Sequence, residues 1–189
     1  MLDFTPVREK KITLSELTAD LTPTRLHDLT NELYDTILEI IANATDTDVT
    51  FEPEDPDAYD GDAVIEAATY MPWTLGHVLV HLTASAEESA FLAAELARGV
   101  EWHGRSRYET PWQTITTIDQ CYQRLAESRR ICVASLQLWP DQPHLDNYYQ
   151  RREGSQKVNA VAYYTSGLMH AEGHLAQLQE VMRQARRSQ

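Results

Sequence analysis

The chain is short of cysteine, glycine, proline and positive charge, and it has no long apolar run; each shortage removes a class of answer. Its 189 residues include two cysteines, seven glycines and eight prolines. Two cysteines cannot form the dense disulfide framework of a small secreted scaffold. So few glycines and prolines exclude a collagen-like or low-complexity chain. No stretch approaches the roughly 18 apolar residues of a membrane-spanning helix, and the mean hydropathy is -0.46. The opening residues MLDFTPVREKK lack the apolar centre of a secretory signal. The expectation is a cytoplasmic protein with one domain over residues 1–189.

Basic residues are scarce too: 16 Lys and Arg stand against 29 Asp and Glu, a formal net charge of -13. Nucleic-acid binding is driven by Lys and Arg neutralising phosphates, so a nucleic-acid partner is not expected. An anionic membrane surface is disfavoured for the same reason. The acid is concentrated in DTDVTFEPEDPDAYDGD at 46–62, with eight acids and no base. This reads as a solvated acidic loop over 45–62, because the D-x-[DN]-x-[DN]-G spacing of a calcium loop is missing.

Helical periodicity is what the chain has in abundance. After an extended N-terminal arm (1–22), Leu26, Leu29, Leu33, Ile37, Ile40 and Ile41 recur at spacings of three and four, predicting a helix from Pro23 or Thr24 to about Asn43. A short extra turn is expected at 63–70. A second helix is predicted from Pro72 or Trp73 to a C-terminal stop at Gly99, and a third from Pro111 to the Trp139-Pro140 stop. A fourth spans about 158–186 and ends in a basic tail suited to the negative end of a helix dipole. The expected class is all-α, a four-helix bundle with long connections at 45–72 and 138–157. Cys121 and Cys132 fall 11 residues apart on the third helix. At about 1.5 Å per residue they lie roughly 16 Å apart, beyond the reach of a disulfide.

The histidines carry the chemistry. His77 and His81 on the second helix, and His170 and His174 on the fourth, are each four residues apart. That spacing puts two imidazoles on one helix face within reach of one metal ion. Both pairs border the apolar stripe of their helix. Spacing alone leaves a metal site and structural histidines as open alternatives; His27, His103 and His144 have no such company.

The segment WTLGHVLVHLTAS at 73–85 resembles the second-helix signature of the DinB/YfiT-like superfamily, and HAEGHLAQL at 170–178 resembles its fourth-helix signature, an H-x-x-x-H followed three residues later by Gln. The separation of the two motifs and the helix order are similar too, and the resemblance covers the chain from about residue 23 onward. It implies a four-helix bundle of DinB/YfiT type with metal ligands at His81, His170 and His174. His77 is then a residue behind the ligands, a pocket residue or simply packed. Glu88, seven residues after His81, is a candidate to orient a ligand or meet a metal-bound water. Three neutral imidazoles suit Zn²⁺ or Ni²⁺, with Fe²⁺ or Mn²⁺ as alternatives, and leave coordination positions open. The resemblance further implies a metal-dependent transferase for a low-molecular-weight thiol of bacillithiol, mycothiol or glutathione type, whose metal-bound thiolate attacks an electrophile. It also implies a small-molecule substrate and a homodimer. A metal-dependent hydrolase and a non-enzymatic, stress-related binding protein are the competing readings. Arg124, Arg129 and Arg130 read as solvated surface arginines, with a charge for an acidic thiol as the sharper alternative.

Overall fold

The computed structural model describes residues 1–56, 58–59, 69–150 and 153–188, and these are mostly helical. In chain order the helices are α1 (Thr5–Arg8), α2 (Leu14–Leu17), α3 (Pro23–Ile41), α4 (Asp46–Val49), α5 (Leu75–Ala97), α6 (Ile118–Ser135), α7 (Ala160–Gly173) and α8 (Leu175–Arg187). Among the described residues no helix is long and apolar enough to cross a membrane.

Capping chemistry sets most of the starts. Thr22 accepts the Arg25 N–H and Pro23 opens α3, a position where a missing N–H costs nothing. Thr74 accepts the His77 N–H and opens α5. At the other end of α5, Gly99 takes φ +80°; its N–H bonds the Leu96 carbonyl and the Val100 N–H bonds the Glu95 carbonyl. That is a Schellman stop, with glycine where a side chain would be strained. The third helix begins later than its proline suggested. Pro111 precedes a single 3-10 turn at Trp112–Thr114, and α6 starts only after Thr117, whose side chain and that of Gln120 cap each other's backbone.

Four further departures have physical causes. The N-terminal 22 residues, expected to be extended, contain α1 and α2, the latter closed by a Thr13–Glu16 capping box. The acidic stretch is not uniformly solvated: Thr45 and Asp48 cap α4, Asp48 is buried, and Asp46 accepts the Ile118 N–H at the start of α6. Its residues 57 and 60–62, and most of the turn expected at 63–70, lie outside the described residues. The connection after α6 holds a two-residue antiparallel ladder, β1 (Tyr149–Gln150) with β2 (Lys157–Val158). The fourth helix divides at His174, which ends α7 and begins α8.

The long helices close a ring. α5 packs on α7 and α6, while α3 packs on α6, α7 and α8. Of the 23 residues of α5, only Glu87, Ser89, Phe91 and Glu95 are not buried, so it is a covered helix rather than the one-sided amphipathic helix its pattern suggested. Leu26, Ile37 and Ile41 of α3, Leu75, Leu79 and Leu82 of α5, Leu125 of α6 and Leu178 of α8 are almost wholly excluded from solvent. Cys121 and Cys132 are buried free thiols, and burial pushes both up to about 12, so neither is a ready nucleophile.

α5 and α7 cross closely at Gly167. A β-carbon added to Gly167 would stand 2.6 Å from the Ser89 β-carbon and 3.4 Å from the Ala86 α-carbon. In an open helix Gly→Ala gains about 1 kcal/mol of propensity; here the clash should reverse that sign. Gly167→Ala is expected to lower Tm, and Gly167→Val to cost about 1–3 kcal/mol, the range for overpacking, both read by thermal denaturation. A higher Tm for Gly167→Ala would show that the helices separate freely.

Candidate metal centre

The Thr74 cap fixes where α5 begins, so His77 and His81 fall on successive turns of its first half. The close α5–α7 approach then brings His170 opposite His81, with the two Nε2 atoms 3.1 Å apart. His174, one turn after His170, completes the group: ring centroids are 5.2 Å for His81–His174 and 4.8 Å for His170–His174. One nitrogen from each ring lies within 4.8 Å of the others, so the three could hold a metal ion.

The His81–His170 separation suits such an ion. Zn–N bonds of about 2.0–2.1 Å put two ligand nitrogens about 3.3 Å apart at a tetrahedral centre, and about 2.9 Å at a right angle. The observed 3.1 Å lies between these values. A buried imidazole must be neutral to ligate. His174 meets that condition: burial first, then the positive fields of His81 and Arg107, hold its pKa below 6.5 against the opposing bond to Gln177. Its Nδ1–H donates to Gln177 Oε1 at 2.8 Å, which leaves the lone pair on Nε2.

One wall is aromatic. Trp73 is 4% exposed; its ring centroid lies 4.6 Å from that of His81 and 5.7 Å from that of His174, nearly parallel to the latter. His77 stands outside the trio. It is sandwiched between Trp73 and Trp112 at 4.5 and 5.0 Å, with ring planes within 20° of each. Of the roles considered for it, packing is the one this geometry describes. The Glu88 carboxylate takes the Arg105 guanidinium at 2.8–3.2 Å and the Ser106 N–H at 3.0 Å. These bonds fasten the segment after α5.

That segment supplies residues that periodicity could not flag. Residues 100–111 have no regular secondary structure, yet Arg105, Arg107 and Glu109 alternate and all reach back to α5 or its partners. Arg107 bonds Ser85 Oγ and the Glu109 carboxylate, and its Nη2 lies 3.2 Å from both His81 Nδ1 and the His81 carbonyl oxygen. Glu109 Oε2 lies 3.5 Å from His81 Nδ1. Burial pushes the Glu109 carboxyl upward, but bonding to His81 and Arg107 outweighs it and lowers the group to about 2. The R-x-R-x-E alternation, a two-residue period in a stretch with no helical pattern, was the one available sequence signal.

The remaining candidates lie elsewhere. Arg124 pairs with Glu87, Arg129 with Asp35 and Asn31, and Arg130 with Glu127, so their charge is already engaged. His103 bonds Glu95 at 2.7 Å, His27 faces Asp28, and the His144 ring rests against Gly99. No protein-family model matches the chain, and no curated protein or solved structure matches it either.

A pH dependence follows from His174. In the unfolded chain its imidazole takes a proton near 6.5, whereas the folded chain takes it only at lower pH. The unfolded state therefore binds more protons as pH falls through 6.5, and stability falls with it. Glu109 has the opposite sense and another window: its stabilisation is complete above 4.5 and is lost only toward about 2. Denaturant unfolding of metal-free protein should show stability declining from pH 7 to 5, with a shallower slope in His174→Asn. Equal slopes would remove His174 as the cause.

Proposed function

We propose that the chain is a divalent-metal protein of DinB/YfiT type, a four-helix bundle that uses its open metal position to activate a low-molecular-weight thiol for transfer to an electrophile. The observation that supports this reading is the convergence of His81, His170 and His174, the three positions on which the two motif segments agree. Three neutral donors leave a coordination position free, the pattern of a catalytic site; structural zinc usually closes all four, often with cysteine. Cys121 and Cys132 are buried on α6 and absent from the group. A divalent ion held there would favour the ionised form of a thiol at neutral pH.

The residues have separable parts in this reading. His81, His170 and His174 hold the ion. Gln177 keeps the Nε2 lone pair of His174 available. Trp73 lies against His81 and His174 and keeps water from that side of them. The thiol would lose its proton to solvent as it ionises; the transfer then joins its sulfur to the electrophilic carbon, and the leaving group departs with the pair of electrons from the bond that breaks.

Purified protein should carry about one divalent ion per chain by elemental analysis. His81→Ala, His170→Ala and His174→Ala should each lose it, and His103→Ala should keep it. With Co²⁺ in place, a cellular thiol should give a sulfur-to-metal charge-transfer band near neutral pH. Retained metal in all three variants would overturn the site; a silent thiol panel with chelator-sensitive hydrolysis would favour the hydrolase. The apolar core does not depend on the ion, so chelation should lower Tm with little change in far-UV helicity. A ligand bound only by the folded state adds roughly 4 kcal/mol at a thousandfold excess over Kd.

A further inference from the structure

Two groups of opposite character face one nitrogen of His81. The Arg107 guanidinium, which only donates, has Nη2 at 3.2 Å from Nδ1, and Glu109 Oε2, which only accepts, lies at 3.5 Å. The same Glu109 oxygen is bonded by Arg107 Nη2. Behind them the segment is fastened to α5 through Arg105 and Ser106 on Glu88 and through Arg107 on Ser85. Arg107 is 12% exposed and Glu109 24%, so neither is a free surface charge.

We infer that Glu109, held in place by Arg107, is the positioning residue that commits His81 to ligate through Nε2. This rests on the metal reading given above. The argument is one of donors and acceptors. An imidazole that gives its Nε2 lone pair to a metal carries its remaining proton on Nδ1, and a guanidinium can offer nothing to an N–H. The carboxylate can, and it is one small ring rotation or side-chain adjustment away. Without metal the pairing reverses: Nδ1 accepts from Arg107, and Nε2–H donates to His170 Nε2 at 3.1 Å. The Arg107–Glu109 pair thus provides a partner for Nδ1 in either tautomer while its own charges cancel. The device reaches His81 from a segment that shares no helix with the ligands.

The test uses Zn²⁺ as probe, with affinity measured by chelator competition on full-length protein. Glu109→Ala should weaken zinc binding by about 10- to 100-fold, the usual cost of losing a partner behind a ligand. Glu109→Gln keeps an acceptor oxygen without the charge and should fall between Ala and wild type. Metal-free Tm and far-UV spectra of both variants report folding separately. In zinc-loaded wild type, ¹⁵N-resolved NMR should show His81 protonated at Nδ1 with slow proton exchange, and Glu109→Ala should exchange fast; a purely structural role would not move that signal. Unchanged zinc affinity in Glu109→Ala, or zinc on His81 Nδ1, would overturn this inference alone. Failure of wild type to bind zinc would overturn it together with the metal reading.

Discussion

The structure depends on how closely α7 is allowed to approach α5. Gly167 has no side chain where one would collide with Ser89, and this absence decides the distance between the two helices that carry the histidines. His170 lies three residues on from Gly167, and His81 lies five residues before Ala86, which is the other close neighbour. At the observed crossing their Nε2 atoms come to 3.1 Å. A rise of one carbon at the crossing would be transmitted to the imidazole tips, because packed interiors pass on displacement rather than absorb it. A packing residue with no chemistry of its own therefore sets the geometry of the chemical one.

The second requirement is to place charge beside these rings without leaving it unpaired. α5 carries Glu87 and Glu88 side by side, and each is answered from a different direction: Glu87 by Arg124 of α6, Glu88 by Arg105 of the following segment. The Glu88 pair is worth more as an anchor than as a source of stability, since a half-exposed arginine contributes little. Its carboxylate also takes a backbone N–H, and that fixes the register of residues 105–109. Once the register is fixed, alternation delivers Arg107 and Glu109 to His81 and turns Tyr108 outward, where it is 76% exposed. Earlier in the same segment, Trp102 packs with Tyr149 and Tyr163, centroids 3.9–5.6 Å apart, and ties it to β1 and α7.

What the sequence revealed and what it concealed divide along the range of the interactions. The helices α3 and α5, the glycine stop after α5 and the buried cysteines of α6 all follow from local patterns, caps and periodicities of three and four. Four-residue spacing, a helical property, marked the two histidine pairs as candidates, and the resemblance of the two motif segments picked His81, His170 and His174 from among them. The true start of α6 was hidden by Pro111, whose preference for a first turn was satisfied by a 3-10 turn instead. The break at His174 gave no signal beyond a neighbouring glycine. His77 could not be separated from His81 by spacing at all; what separates them is Trp112, 35 residues further on, closing the second face of the sandwich. Arg107 and Glu109 were missed for the same reason, being brought to the site by contacts rather than by a period.

The charge balance of the group bears on the kind of fourth ligand it would favour. Imidazoles ligate in their neutral form, and the charges of Arg107 and Glu109 beside His81 are paired with each other. A divalent ion placed among them would keep both of its positive charges uncompensated by the protein, in surroundings where Trp73 restricts water. Such a site prefers an anionic occupant of the open position over a neutral one, and it does so more strongly than a site in which one histidine is replaced by a carboxylate. The preference holds against the chain's overall charge of -13, because exposed charges more than about 8–10 Å away are screened at physiological salt whereas a partly buried ion is not. Under the proposed reading, a thiol that ionises on binding would meet this preference: its sulfur would arrive as a neutral S–H group and become negative only beside the ion.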